Sequence, residues 1–207
     1  MSSKDSSRAK RNPRQSRERI LAAALREFAG KGFAGARVDA IARSARINKR
    51  MLYHYFGNKE ELFREVIRRK MGERVTWMAS APEDLADNLP FWFQVACRDP
   101  EWVRLLEWEA LQWADEKVID EEHRRAAFRQ AIERLKRLQA SGRIAPEFDL
   151  GQLLLSIIAV TAYSMAFPQV ARLATGLSIS DEEFRAKREE FLRQFAAALR
   201  PRSANPG

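Results

Sequence analysis

Between positions 49 and 54 four side chains with hydrogen-bonding heads recur at helical spacing: Lys49 with Tyr53, and Arg50 with His54. Residues four apart share one face of an α-helix. Met51, Leu52, Tyr55 and Phe56 supply an apolar side, so the spacing predicts that those four pack inward. An outer face carrying an ammonium, a guanidinium, a phenol and an imidazole suits contact with phosphates and base edges. A solvated basic surface is the plainer reading of any one such helix.

Charge separates the two readings. Residues 1–60 contain 15 Lys and Arg against five Asp and Glu, a net +10, whereas the chain as a whole carries +9. The remaining 147 residues are therefore close to neutral. A basic front end on a neutral body is the footprint of polyanion binding, with nucleic acid or an anionic membrane surface as the candidates. The N-terminus has no apolar run of the secretory type, and the longest apolar stretch, Leu153–Phe167, is too short to cross a bilayer. The expectation is a cytoplasmic protein with no membrane partner. Its single cysteine, Cys97, fits a reducing compartment.

The elements that position these residues are all helical. A first helix is expected from about Ser16 to Ala29, with Gly30 and Gly32 stopping it. Val38–Ala45 forms a short second helix. A third starts after Asn48 as N-cap, and a longer fourth after Asn58, with Glu60 and Glu61 in its first turn. Arg46 and Ile47 alone separate the second and third, so 37–56 reads as a helix-turn-helix. Beyond it, Pro90 kinks or starts a helix through Ala96, and Asp99-Pro100 starts another. A long helix runs from near Glu116 to Ser141, with Phe128, Ile132, Leu135 and Leu138 inward. Leu150–Phe167 is apolar nearly all round, which implies burial on several sides. Ser180 and Glu183 have capping-box spacing ahead of the last helix. The fold class is all-α: an N-terminal three-helix unit plus a C-terminal helical bundle, about nine helices.

With those residues in place, Arg17–Ile67 resembles the DNA-binding region of the tetracycline-repressor (TetR) family of bacterial regulators. The matching stretches are Ile20-Leu21-Ala22-Ala23-Ala24, Phe28-Ala29-Gly30-Lys31-Gly32-Phe33, Ile41-Ala42, Leu52-Tyr53-His54-Tyr55-Phe56 and Lys59-Glu60-Glu61-Leu62. The resemblance implies that Lys49, Arg50 and Met51 open a recognition helix at the bases. It implies that Tyr53 touches a phosphate or base, and that Lys59 is a phosphate-contacting lysine. His54 and Tyr55 stand where the family often has an aromatic and a His in the other order. Three positions depart from the pattern: Arg37 where Ser or Thr often caps the second helix, Arg46 where a turn glycine is common, and Asn48 for a common serine. The first leaves that cap lost or supplied otherwise, the second makes a left-handed backbone at a side chain the expectation, at some cost, and the third keeps the capping chemistry. Both arginines add positive charge near DNA.

The resemblance further implies a division into a DNA-binding domain over 14–74 and an effector-binding and dimerisation domain over 75–207. Residues 1–13, with Lys4, Arg8, Lys10 and Arg11, read as a disordered basic tail able to reach the minor groove or nearby phosphates. All five tryptophans fall between Trp77 and Trp113. Met78, Trp92, Trp102, Trp108 and Trp113 are the candidates for lining an effector pocket, ordinary core packing being the alternative. Glu107 and Glu109 have the chemistry to orient a cationic ligand, or to sit in solvent. The surplus apolar surface of the last two long helices points to a homodimer through Ile157, Phe184, Phe191 and Phe195.

Catalysis finds no support in the sequence. No glycine-rich phosphate loop, nucleophile elbow or His-carboxylate spacing is present, and two His with one Cys leave almost no ligands for zinc. No cofactor is expected. The reading is a sequence-specific regulator on a double-stranded DNA operator, by family default a repressor released by a small apolar or aromatic effector. A non-specific DNA-binding protein, or a helical enzyme, is the alternative.

Overall fold

A computed structural model describes residues 13–201. The basic tail expected over 1–13 lies outside these residues, apart from Pro13. Ten helices and no strand occur among the described residues, and they fall into two compact units that divide between Val66 and Ile67.

The first unit opens with α1 (Pro13–Gly35), three residues earlier than the sequence pattern predicts. Gly30 continues that helix, whereas Gly32, at φ 68° and ψ 176°, breaks it. Only glycine takes that conformation cheaply. α2 (Val38–Ser44) and α3 (Lys49–Phe56) follow, and α4 (Lys59–Ser80) begins within this unit and ends in the second. Ile20, Phe28, Ile41, Leu52, Leu62 and Phe63 are fully buried, each worth about 1.5–3 kcal/mol of transfer from water. Phe28 meets Phe63 edge to face at 4.9 Å. Away from this core, Arg17 pairs with Glu65 and lies 5.3 Å over the Phe56 ring, tying α1 to α3 and α4.

The second unit is built from the rest of α4 and from α5 (Leu85–Arg98), α6 (Pro100–Trp113), α7 (Glu121–Ala140), α8 (Leu150–Ala166), α9 (Pro168–Thr175) and α10 (Glu182–Ala198). Its core joins Leu89 and Phe93 of α5 to Leu135, Leu153, Phe184 and Leu192. α5 starts five residues before Pro90, because the Asp84 carboxylate caps it by accepting from the Ala86 amide at 2.8 Å. Pro90 lies inside the helix, so it neither starts it nor ends it. The pattern read as one helix from Glu116 begins only at Glu121, after a turn in which Asp120 takes φ 56°. α9 was not legible in the apolar periodicity; Pro168 sets it off from α8 at a bend of 89°. The expected Ser180 cap is absent: Asp181 occupies the N-cap, and its carboxylate accepts from the Ser178 amide instead.

α8 is not covered on all sides. Leu153 and Ile157 are buried, but Leu155 is 61% exposed, and Ile158 and Tyr163 also reach solvent. No single helix among the described residues is long and apolar enough to cross a membrane.

Candidate nucleic-acid interface and ligand cavity

The turn between α2 and α3 carries more local design than its length suggests. The Arg46 amide donates to the Arg43 carbonyl at 3.1 Å, and the Ile47 amide to the Ala42 carbonyl at 3.0 Å. This is the paired 5→2 and 6→1 closure of a Schellman motif, whose C′ residue must be left-handed. That residue is Arg46, at φ 55°. A left-handed backbone at a residue with a Cβ costs about 1–2 kcal/mol, so the family's glycine is replaced here at a cost in stability.

The other two departures also resolve in the structure. Arg37 is the N-cap of α2 with no side-chain cap bond; its amide donates instead to the Glu27 carboxylate at 3.2 Å. Burial pushes the Glu27 carboxyl up, but hydrogen bonds from Lys31 and from that amide outweigh it and hold the group below its usual range. Asn48 caps α3 by accepting from the Met51 amide at 2.7 Å, and Asn58 does the same for Glu61 at the start of α4, at 2.8 Å.

Leu52 and Phe56 fix α3 on the core, which turns Lys49, Arg50, Tyr53 and His54 outward. Met51, expected inward, is 38% exposed and joins this outer face; an eight-residue helix on a three-helix unit has only a narrow buried stripe. Tyr55 is half-buried and meets His54 edge to face. Lys49 pairs with Asp39 of α2 at 3.0 Å, and the hydrogen bond it donates to that carboxylate raises its pKa. Arg50 makes no ion pair among the described residues. Nor do Arg43 and Arg46, whose guanidinium groups are equally exposed. Arg43 was not singled out from the sequence, because on α2 alone it is one basic residue among many.

Lys59 is placed differently from a free phosphate anchor. Its ammonium donates to the Ala34 carbonyl at 3.3 Å and sits 4.9 Å over the Phe33 ring. Burial there lowers its pKa. In this arrangement Lys59 fastens α4 to the end of α1.

The second unit encloses a cavity of about 520 Å³ between α4, α5, α6, α7 and α8. Met78, Trp92 and Trp102 line it, as expected for an effector pocket. Trp108 and Trp113 do not line it. Trp108 is 37% exposed on α6, and the ring of Trp113 packs under Lys117 at 5.4 Å. Phe128, read from its spacing as core, is 43% exposed and faces the cavity.

Arginines in the wall are all engaged. Arg74 pairs with Asp99 at 2.8 Å and stacks over Trp102 at 4.5 Å. Burial lowers its pKa, a pull that Asp99 partly offsets. Asp99 also binds the buried Lys70 at 2.7 Å. Arg124 pairs with Glu109 at 2.6 Å. Glu109 is therefore a buried structural acid, not a solvated one, and it also accepts from the Ile119 amide at 2.8 Å. Arg134 reaches the carbonyls of Met78, Ala81 and Pro82, at and just past the C-terminus of α4.

Two of the residues expected at a dimer interface are not available for one. Ile157 and Phe184 belong to this chain's own core, 5% and 4% exposed. The apolar surplus was real, but those positions use it internally. Phe191 is exposed and Phe195 half-buried, stacked on one another.

A helix-turn-helix that presents unpaired arginines from α2, its turn and α3, in a chain with a separate helical unit around an apolar cavity, defines a DNA-binding transcriptional regulator. The family models agree. Residues 20–66 match the bacterial regulatory proteins of the tetR family, and residues 84–197 match the tetracyclin repressor-like C-terminal domain. The HTH-type transcriptional repressor SCO4008 of Streptomyces coelicolor is 32% identical over 168 residues, 81% of this chain and 88% of that protein. The HTH-type transcriptional repressor NicS of Pseudomonas putida is 36% identical over 47% of this chain and 49% of its own length. The crystal structure of SCO4942 from Streptomyces coelicolor superposes with a TM-score of 0.73 at 29% identity, covering 91% of this chain and 99% of that one. The chain belongs to the TetR family.

Proposed function

We propose that this regulator is a homodimeric, cytoplasmic repressor that leaves its operator when a small apolar or aromatic molecule fills the cavity of the second unit. The observation that carries the DNA half is the outer face of α3 and its turn, where Arg46 and Arg50 have no acid partner and Lys49 has only an exposed one. Arg50 and His54 read base edges, Tyr53, Lys49 and Arg37 take phosphates, and Met51 and Tyr55 give apolar contact. Lys59 acts first as the clamp on α1, with the N-terminal turn of α4 beside it as the second anion-binding element. The domains are 14–74 for DNA and 75–207 for effector and dimer. Nothing in this reading calls for an enzyme or a cofactor.

The dimer half rests on the exposed apolar residues of α8 to α10: Leu155, Leu173 and Phe191, with Phe195 behind. A twofold contact there would cover them and present two recognition helices to the half-sites of a near-palindrome. Replacing Phe191 by Asp is expected to give a monomer that binds operator weakly.

α4 is the element shared by the two activities. It starts at the Asn58 cap in the first unit and supplies Met71, Val75 and Met78 to the cavity wall. A ligand that shifts it would change the spacing of the recognition helices, so effector and operator would oppose each other by about 1–3 kcal/mol. The test is selection of the bound DNA from a random pool, followed by tryptophan fluorescence titration of candidate ligands with and without that DNA. A defined operator whose presence weakens the ligand is the expected result. Equal binding to all sequences, or a ligand of unchanged affinity on DNA, would overturn the reading.

A further inference from the structure

We infer that the cavity selects an apolar or aromatic cation, whose positive group is held by Glu107. This rests on the cavity's being the effector site and goes on to name the charge of what fills it. Five ionisable side chains line the space: Arg74, Glu107, Arg124, Arg134 and Tyr163. Arg74 and Arg124 are neutralised by Asp99 and Glu109. Arg134 has no carboxylate partner, but its two terminal nitrogens already donate to three carbonyls. Those carbonyls lie at the negative end of α4, where a cation is stabilised without an anion.

Tyr163 is a neutral phenol, and of the four charged groups Glu107 alone has no such partner. It accepts no hydrogen bond and forms no ion pair among the described residues, and the charge that acts on it is that of Arg104, three residues earlier on α6. Its half-buried position at the cavity raises its pKa through desolvation, the state that a bound cation would relieve. Around it the wall offers rings and thioethers, among them Trp92, Phe128, Met71 and Met78. Aromatic faces attract cations directly. The two guanidinium groups over Trp102 occupy that ring in the same way, at 4.5 and 6.0 Å. An anionic ligand would have to compete with the carbonyls for Arg134 while approaching Glu107.

Tetraphenylphosphonium and tetraphenylborate, alike in shape and opposite in charge, make the test on the full chain by calorimetry. The phosphonium is expected to bind the wild type roughly tenfold more tightly than the borate. Glu107→Gln, at a half-exposed position that leaves the core untouched, should erase that difference by weakening the phosphonium alone. Equal affinities on the wild type, unchanged phosphonium binding by Glu107→Gln, or failure of the phosphonium to bind would each overturn the inference. Tighter borate binding that is lost in Arg134→Met would assign an anion site and overturn it too. Operator affinity measured with each ion separates this from the effector reading. Glu107-dependent binding that leaves DNA affinity unchanged upholds the cation site and sinks the effector role. Operator release by an uncharged or anionic compound, with no phosphonium binding, does the reverse.

Discussion

In the first unit Arg43, Arg46 and Arg50 stand in solvent without ion-pair partners, whereas in the second Arg74 and Arg124 face a cavity with their charges already taken by Asp99 and Glu109. The residue type is the same, and its partners decide what it is for. Free guanidinium groups on two short helices and the turn between them are available to a polyanion, at the entropic cost of ordering them on binding. Compensated ones shape a wall and stiffen it, and they leave the sign of the ligand to be set by whichever charge remains unpaired. In a family whose DNA unit and ligand unit serve different partners, this division of one side chain into two uses separates the sites more sharply than net charge does.

The comparison is easiest to break at Asp99. That carboxylate is 4% exposed and holds both Lys70 and Arg74. Asp99→Ala strands Arg74 and leaves the buried Lys70 with Glu73 alone, and is expected to cost about 3–5 kcal/mol in chemical denaturation. A loss under 1 kcal/mol would mean that the wall arginine is not held as described.

A smaller effect, of opposite sign on the two properties, is expected at the turn. Arg46→Gly relieves the left-handed strain and should raise stability by about 1 kcal/mol. The same change removes a free cation beside α3, so DNA affinity should fall, most visibly at low salt. Stabilisation with unchanged DNA binding would remove Arg46 from the interface.

The smallest effect is acid sensitivity of the α1–α2 joint. Because the Glu27 carboxyl is depressed in the folded chain, its contribution is present above the ordinary carboxylate pKa of about 4.3 and is lost as pH falls through the lower folded value. Glu27→Gln should flatten that part of the stability profile between about pH 5 and 3. An identical profile in the variant would show that the Arg37 amide and Lys31 do not depend on that charge.

Much of this architecture was legible in the sequence, for reasons that differ by region. The first four helices announce themselves through caps at Asn48 and Asn58 and a stop at Gly32, all local chemistry. Arg37 and Arg46 were legible as violations of that chemistry, and both take the conformations those violations imply. The second unit was less legible because its decisive features are contacts distant in sequence. Glu109 reads as surface until Arg124 and the Ile119 amide are seen to enclose it. Phe128 and Ile157 sit on similar apolar stripes and both line the cavity, yet Phe128 is largely exposed while Ile157 belongs to the core. Five tryptophans close together implied a pocket but gave no means of telling Trp92 and Trp102, which line it, from Trp108 and Trp113, which do not.

The central claim is that the outer face of α3, with Arg50 as its unpaired cation, reads DNA. Its most direct measurement is the affinity of wild type and Arg50→Ala for the selected operator and for random duplex, each over a range of salt. Loss of about 1–3 kcal/mol on the operator, a smaller loss on random DNA and relaxed preference at one base pair are predicted. Equal losses on both DNAs, with the base preferences intact, would contradict it.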